Sequence, residues 1–587
     1  MLSLMGHTNS LEQKRHTLAH LLAAAVLERY PRAKPTIGPA VDNGFYYDFD
    51  FSGGDAPGEA ELAELEASMR DLLPSWTEMS GTEVSAEDAR DRFSGNEFKL
   101  ELIDGIVEEK QPITLYTAGT FTDLCRGGHC EHPAHDIAAD SFSLDRIAGA
   151  YWRGDETKPM LTRIYGLAFD TKQELEAYKA QIEEARKRDH RKIGKELDLF
   201  TFSPLVGSGL PLWTPRGTIV RKELDAFVQS LRAKHDYTPV TIPHITKKDL
   251  YEKSGHWSKF ADELFRIETR EGKEYAVKPM NCPHHTQIFN RKPHSYKEMP
   301  QRYSETTMVY RDEQSGELGG LTRVLSITQD DSHVFCRHNQ VKEEYFRIWD
   351  IVDSFYGAFG FSLKVRLSFH DPKEMDKYLG TEEVWKNAEN ALREIAEERN
   401  ADYFEGIGEA AMYGPKLDFM AVDSMGRQHQ VATIQLDMNL PERFDLTCNN
   451  EKGEKERIVM IHCAIMGSIE RFSAVLLEHL GGVLPTWLAP EQVRVLPISD
   501  AHASYAHELK DLMKLSSVRV FVDDSSESLG KKIRAAKQEK IPYVLVVGDA
   551  EVSEGTVSIE SRDKGKLDSM RGTQFKDMLV KEIFERK

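Results

Sequence analysis

Apolar and polar positions along this chain change rhythm three times. From Lys14 to Tyr30, "KRHTLAHLLAAAVLERY" returns apolar residues at helical spacing, and "GFYYDFDF" further on reads as a strand, so the block 1–170 mixes helix with short strands. The next stretch, "TKQELEAYKAQIEEARKRDHRKIGKEL", is rich in helix formers, dense in charge and free of proline, which predicts a linker helix across 171–199. Between "LFTFSPLVGSGLPLWTPRG" and "LGGVLPTWLAP" the pattern turns to strand-like segments separated by helices: "SITQDDSHVFC" fails as a helix, whereas "IMGSIERFSAVLLEHL" has helical spacing. An antiparallel sheet with helices packed on it suits 200–489. After Pro490 the strands "VRVLPIS", "VRVFVDD" and "PYVLVVGD" alternate with helices through "YAHELKDLMKL" and "LGKKIRAAKQ", predicting a parallel α/β domain over 490–587. The fold class expected is α+β and multidomain.

Length supports that division, because 587 residues exceed what one hydrophobic core can organise. Six scattered cysteines are too few and too irregular for a disulfide scaffold and fit a reducing, cytoplasmic setting. The opening "MLSLMGHTNS" lacks a basic segment followed by an apolar one, and the apolar run "LAHLLAAAVL" is short and holds a histidine, so neither export nor membrane insertion is expected. A net charge of -20 argues against nucleic acid only superficially, since Pro490 to Lys587 is balanced at 17 basic and 17 acidic residues and contains the basic run "KKIRAAKQEK".

Some segments carry more specific chemistry. In "YRDEQSGELGGLTRVLSITQDDSHVFC", Arg311 and Glu313 alternate as on one side of a strand, with Arg323 beyond a turn; in "MIHCAIMGSIERF", Arg471 sits on a helix nine residues after His462. Arginines converging on a sheet suit a bound triphosphate. Cys282, in "KPMNCPHH", is by itself no more than a small buried hydrophobe.

Together these segments resemble motifs 2 and 3 of the class II aminoacyl-tRNA synthetases, and "KPMNCP", "TQDDSHVFC", "YGPKLDF" and "IHCAIMGSIERF" are similar, in order, to the threonyl-tRNA synthetases. The resemblance runs from about Lys14 to Lys587. It implies a class II antiparallel-sheet catalytic core, an N-terminal α+β editing domain and a C-terminal α/β anticodon-binding domain, without the small N-terminal ubiquitin-like domain many members carry. It implies that Cys282, His333 and His462 hold Zn²⁺, one per subunit, with an open position at which threonine chelates. Valine, which lacks the hydroxyl, is thereby rejected where an apolar slot could not reject it. The implied threonine site is Met280, Gln329, Asp331, Tyr413 and Gln435. For ATP with Mg²⁺, Arg311 meets the α-phosphate, Glu313 the adenine and Arg471 the γ-phosphate, while Arg323, Ile327 and Gln430 complete the nucleotide site. His256, in "SGHW", matches a histidine implicated in transfer to tRNA.

Serine has the same chelating groups as threonine and lacks only a methyl, a difference worth about 1 to 3 kcal/mol, so a second, hydrolytic site is expected. "HTLAH" and "DLCRGGH" supply His16, His20, Cys125 and His129, which on chemistry alone read as a zinc set. The resemblance implies instead a metal-free editing centre, with Lys99, Tyr47 and Asp123 close by. Departures from the family pattern are Ile327 for a stacking Phe, Cys463 for Arg, His284 for Gly and Gly128 for Pro. In the tail Glu551 fits an anticodon contact, whereas Glu560 stands where an Arg is expected. Pro243, after "YTPVTI", fits the dimer-forming motif 1, so the expected partners are threonine, ATP, threonine tRNA and a second copy of the chain, with no membrane.

Overall fold

The computed structural model describes residues 5–155 and 157–586, in two compact units, Met1–Glu183 and Glu184–Lys587. Of the opening ten residues, Met1 to Leu4 lie outside the described residues. In the smaller unit the helix Met5–Arg29 buries Leu18, Leu21, Leu22, Ala25 and Val26, which recur every three or four residues along one face. That face packs on the strand Gly44–Asp50, whose Phe45, Tyr47 and Phe49 alternate into the same core. The strand pairs antiparallel with Met160–Ala168, and that strand with Phe142–Tyr151. A second antiparallel sheet runs Met79–Val84, Ile113–Ala118, Phe121–Leu124. Beside it lies the helix Glu97–Glu108, whose first amides, of Phe98 and Lys99, donate to the Asn96 side chain.

An eight-stranded sheet forms the heart of the larger unit. Its order is Thr238–Pro239, Gln301–Tyr310, Ser326–Cys336, Val459–Ser468, Gln428–Asp437, Lys416–Val422, Ser362–Phe369, Tyr403–Ile407, antiparallel except for the first and last pairs. Alternation divides its two faces. Val334, Cys336, Ile434 and Ile461 join a core shared with the helices Pro215–Ala233, Val341–Gly357 and Ile469–His479. Asp330 faces the same way, paired with the buried Arg232 of the first of these helices. Gln329, Asp331 and His333 therefore point to the opposite face, where the site lies.

The C-terminal part of this unit holds a five-stranded sheet in the order Val520–Val522, Val493–Pro497, Tyr543–Val547, Thr556–Ser561, Gly565–Arg571. The first three strands are parallel, as the sequence predicts. The last two form an antiparallel hairpin that the strand-helix alternation does not reveal, because Gly565–Arg571 is mostly exposed and carries few apolar residues.

Two local expectations need correction. The segment starting at Ile465 is not all helix: Ile465 to Ser468 end a strand, and the helix begins at Ile469 behind a Ser468 cap. Nor do Arg311 and Glu313 share one side of a strand, because that strand ends at Tyr310 and both residues lie in the loop beyond it.

Candidate active sites

Sheet register builds the first site. His333 and His462 are direct partners on neighbouring strands, and Gln435 pairs with His462 from the other side. Cys282 opens the helix Cys282–Phe289 at the edge of the same hollow. One donor atom from each of Cys282, His333 and His462 lies within 4.8 Å of the others. The inward nitrogens are His333 Nε2 and His462 Nδ1, 3.1 Å apart. Tetrahedral ligands at about 2.0–2.1 Å from zinc would stand about 3.3 Å apart.

The outward nitrogens are occupied as metal-binding imidazoles usually are. His462 Nε2 donates to the buried Asp437 at 2.9 Å, which leaves the Nδ1 lone pair facing inward, and His333 Nδ1 meets His285 Nδ1 at 2.7 Å. Burial, added to by Asp331 and Asp437, pushes the Cys282 thiol well above its ordinary pKa. The donor set therefore fits a soft divalent cation, whose charge would offset the cost of a buried thiolate. Asp437 and His285 are the residues that motif reading missed. The one available signal was that Asp437 lies two residues beyond Gln435, on the same face of its strand.

A cavity of about 150 Å³ above these residues is also lined by Met280, Arg311, Gln329, Asp331, Tyr413 and Gln435. The structure thus brings the predicted threonine-site residues together. Asn281 donates to Asp331 at 2.9 Å, and the Tyr413 ring lies 5.2 Å from that of His462. His256 is fully buried, with Nδ1 2.8 Å from Ser254 Oγ and Nε2 3.9 Å from Cys282 Sγ.

The nucleotide residues are more spread out. Glu313 accepts two bonds from Arg323, at 2.8 and 2.5 Å, and Arg323 also reaches Glu317 at 3.0 Å. Gln430 lies between Arg366 and Asp418, at 2.7 and 3.0 Å. Arg471 stands exposed in the first turn of the helix Ile469–His479, with no ion-pair partner among the described residues. Ile327 is half-buried opposite Val309. Cys463, which also lines this cavity, is buried against the helix-covered core.

The second site lies in the smaller unit, in a cavity of about 400 Å³. His16 and His20 come from one helix face, Cys125 and His129 from the loop after the strand Phe121–Leu124. Cys125 Sγ is 3.4 Å from His16 Nε2 and 3.2 Å from His129 Nε2. Behind them Asp123 holds Lys99 at 2.5 Å, lies 3.2 Å from His20 Nδ1 and accepts a very short bond from Tyr47, which also meets Lys99 at 3.2 Å. Burial opposes charge at Cys125, but hydrogen bonds from His129 and His16 and the positive charge of nearby His20 bring the thiol down to about 3. Burial likewise opposes a proton on His20, but Asp123 and the Cys125 sulfur raise that imidazole to about 9. The result favours a half-buried Cys125 thiolate beside the buried His20 imidazolium. Gly128 adopts φ +84, closed to the proline of the family pattern.

In the C-terminal sheet Glu560 is paired with Lys537 at 2.7 Å. Glu551 accepts bonds from the Gly548 amide and the Ser558 hydroxyl, at 2.9 and 2.8 Å. Pro243 is exposed, close to the edge strand Thr238–Pro239.

An antiparallel sheet flanked by one parallel pair at each end, with a Cys–His–His pocket that Arg311 also lines, has the architecture of a class II aminoacyl-tRNA synthetase core. Residues 265–480 match the tRNA synthetase class II core domain (G, H, P, S and T), and residues 492–582 an anticodon binding domain. The threonine–tRNA ligase of Porphyromonas gingivalis is 47% identical over 97% of this chain and 87% of its own length. That of Deinococcus radiodurans is 45% identical over 98% and 88%. Among solved structures, the RNA binding domain of the Cryptosporidium parvum threonyl-tRNA synthetase is 38% identical with a TM-score of 0.64, over 67% of this chain and 98% of that one. Giardia lamblia prolyl-tRNA synthetase, 17% identical with a TM-score of 0.54 over 69% and 81%, shares the fold. The chain belongs to the threonine–tRNA ligase family.

Proposed function

We propose that the chain, as a threonine–tRNA ligase, activates threonine with ATP in the larger unit, passes it to the 3′ end of threonine tRNA, and hydrolyses mischarged Ser-tRNA in the smaller unit. The observation that carries this reading is the convergence of Cys282, His333 and His462 in a cavity that also receives Arg311, Gln329 and Asp331. Cys282 Sγ, His333 Nε2 and His462 Nδ1 would hold zinc, which supplies a Lewis-acid anchor for the amino and hydroxyl groups of threonine.

The other steps belong to side chains. Asp437 fixes the His462 tautomer, and Met280, Tyr413 and Gln435 wall the pocket. Arg311 neutralises the α-phosphate while the threonine carboxylate attacks it in line; the new O–P bond forms as the bond to the diphosphate breaks. Arg471 takes the γ-phosphate, Glu313 the adenine edge, and Arg323, Gln430 and Ile327 the rest of the nucleotide, with Mg²⁺ entering on ATP. His256 assists transfer to the tRNA ribose.

In the editing reading, His16, His20, Cys125 and His129 activate water against the seryl ester, and Lys99, Tyr47 and Asp123 hold the cluster's charge. Residues 490–587 meet the anticodon, with Glu551 as one contact. The enzyme works as a homodimer through the surface around Pro243. Its cytoplasmic placement is supported by six free cysteines, and no described helix is long and apolar enough to cross a membrane.

Two measurements test the assignment. Threonine-dependent exchange of pyrophosphate into ATP should require zinc and disappear with a strong chelator; exchange at full rate in zinc-free enzyme removes the pocket argument. The double variant His16→Ala/His20→Ala should keep that exchange and leave pre-charged Ser-tRNA about a hundredfold more stable, the scale of one acid–base group. Hydrolysis at the wild-type rate would make those histidines structural.

A further inference from the structure

Outside both sites lies a cluster of the buried His190 with the half-buried Asp189 and Glu478, whose ligand-type atoms are within 4.8 Å of one another. Its hydrogen bonds exclude a cation and point elsewhere. His190 opens the helix His190–Glu196 and is 5% exposed. The main-chain N–H of Leu321 donates to its Nε2 at 3.1 Å. An amide can only donate, so Nε2 is the bare nitrogen and the proton sits on Nδ1, which donates to Glu478 Oε1 at 2.7 Å. Neither nitrogen keeps a lone pair for a metal. Glu478 is itself fixed, because Arg427 donates to its other oxygen at 2.6 Å.

What this histidine joins is informative. Glu478 belongs to the helix Ile469–His479, whose first turn carries Arg471. Leu321 sits in the turn Gly319–Arg323, closed by main-chain bonds of 3.2 and 3.4 Å, and its side chain is fully buried in the core. From the end of that turn Arg323 reaches back to hold Glu313. Gly320 has φ +52, and a Cβ there would stand 2.3 Å from His190 Nε2, so the ring occupies the space any other residue would need.

We propose that His190 is a positioning residue for nucleotide binding: it clamps the turn Gly319–Arg323 to Glu478, so that Arg323 and Glu313 stand in fixed relation to Arg471 before ATP arrives. The inference rests on the assignment of those residues to ATP given above. Its physical content is pre-organisation, since a turn already held in place need not be ordered when the nucleotide binds.

The test is pyrophosphate exchange with the full chain, varying ATP and threonine separately. In His190→Ala the KM for ATP should rise about tenfold, the scale of a buried hydrogen bond lost with its amide left unpaired. The KM for threonine and the zinc content should stay within about twofold of wild type. Gly320→Ala, which pushes the turn off the ring from the other side, should give the same split, and the double variant should lose less than the product of the two. If His190→Ala does not fold, Gly320→Ala carries the test alone. An unchanged KM for ATP, equal rises in both KM values, fewer active sites with unchanged KM values, or strictly multiplicative losses would each overturn the clamp. A wild-type chain with no threonine-dependent exchange would overturn the ATP assignment instead.

Discussion

Cys125 and Cys282 each stand in a group of buried or half-buried histidines and each has a carboxylate behind it, yet their electrostatics run in opposite directions. In the smaller unit His16 and His129 point ring nitrogens at Cys125, and Asp123, itself paired with Lys99, secures a proton on His20. Charge is balanced within the protein, so the thiolate forms unaided. In the larger unit Asp437 turns His462 the other way, so that its lone pair faces the cavity, and burial holds His333 well below its ordinary pKa. Cys282 there has acidic neighbours, and its sulfur stands 3.9 Å from His256 Nε2. One cluster supplies its own counter-charge; the other, on the function proposed above, would take it from a bound cation. Ligand types alone do not separate the two; the partners one bond further out do.

The hardest way to break this comparison is Cys282→Ala. Removing one of the three ligands should abolish threonine-dependent exchange and empty the site of zinc by metal analysis, while hydrolysis of added Ser-tRNA continues at the wild-type rate. Loss of both activities together would mean that the two clusters are not separate sites, and retained exchange would return Cys282 to the core.

A pH profile sharpens the other side. With its pKa brought down to about 3, Cys125 is already thiolate at mildly acid pH, so raising the pH adds no nucleophile. Alkylation of Cys125 by iodoacetamide, followed by peptide mass spectrometry, should therefore be nearly flat from about pH 5 to about pH 8, whereas an ordinary thiol accelerates about a thousandfold over that range. A rate that climbs tenfold per pH unit would show Cys125 to be an ordinary thiol. His20, raised to about 9, stays protonated across the same window and should not bend the profile.

The far-side carboxylate can be tested alone. Asp437→Asn keeps the size of the side chain but removes the charge that fixes the His462 tautomer, and such partners are worth about 10–100-fold in metal affinity. Zinc competition with a chromogenic chelator should show a loss of that size. An unchanged affinity would mean that strand register by itself orients His462.

Much of this was legible in the sequence, and the shortfall has a pattern. The order of layers followed from periodicity, whereas the trio Cys282, His333 and His462 came only from the resemblance that "KPMNCP", "TQDDSHVFC" and "IHCAIMGSIERF" carry together, since Cys282 alone reads as a small buried hydrophobe. Asp437 and His285 escaped because their roles exist only once the strands are in register, His333 beside His462. The four residues from Ile465 misread as helix show a related limit: a short apolar run does not say whether it is buried strand or buried helix. The exposed hairpin strand Gly565–Arg571 left too weak an apolar signal to find.

The smallest effect expected concerns Ile327, where the chain departs from the aromatic residue of the family pattern. Ile327 is half-buried on the strand Ser326–Cys336, opposite Val309. Its aliphatic surface can cover one face of an adenine but offers no ring to stack on it. Aromatic pairs are worth about 0.5 to 1.5 kcal/mol beyond area burial, so Ile327→Phe should tighten ATP binding by up to about tenfold. The gain should appear in the KM for ATP, with the KM for threonine unchanged, because the strand turns its next site-facing residue, Gln329, toward the amino-acid pocket. Two outcomes would count against this. Weaker ATP binding would mean that the neighbourhood of Val309 has closed around isoleucine and leaves no room for the larger ring, since inserted volume costs about 1–3 kcal/mol in a packed site. An unchanged KM would place adenine away from Ile327, and with it the adenine contact assigned to Glu313.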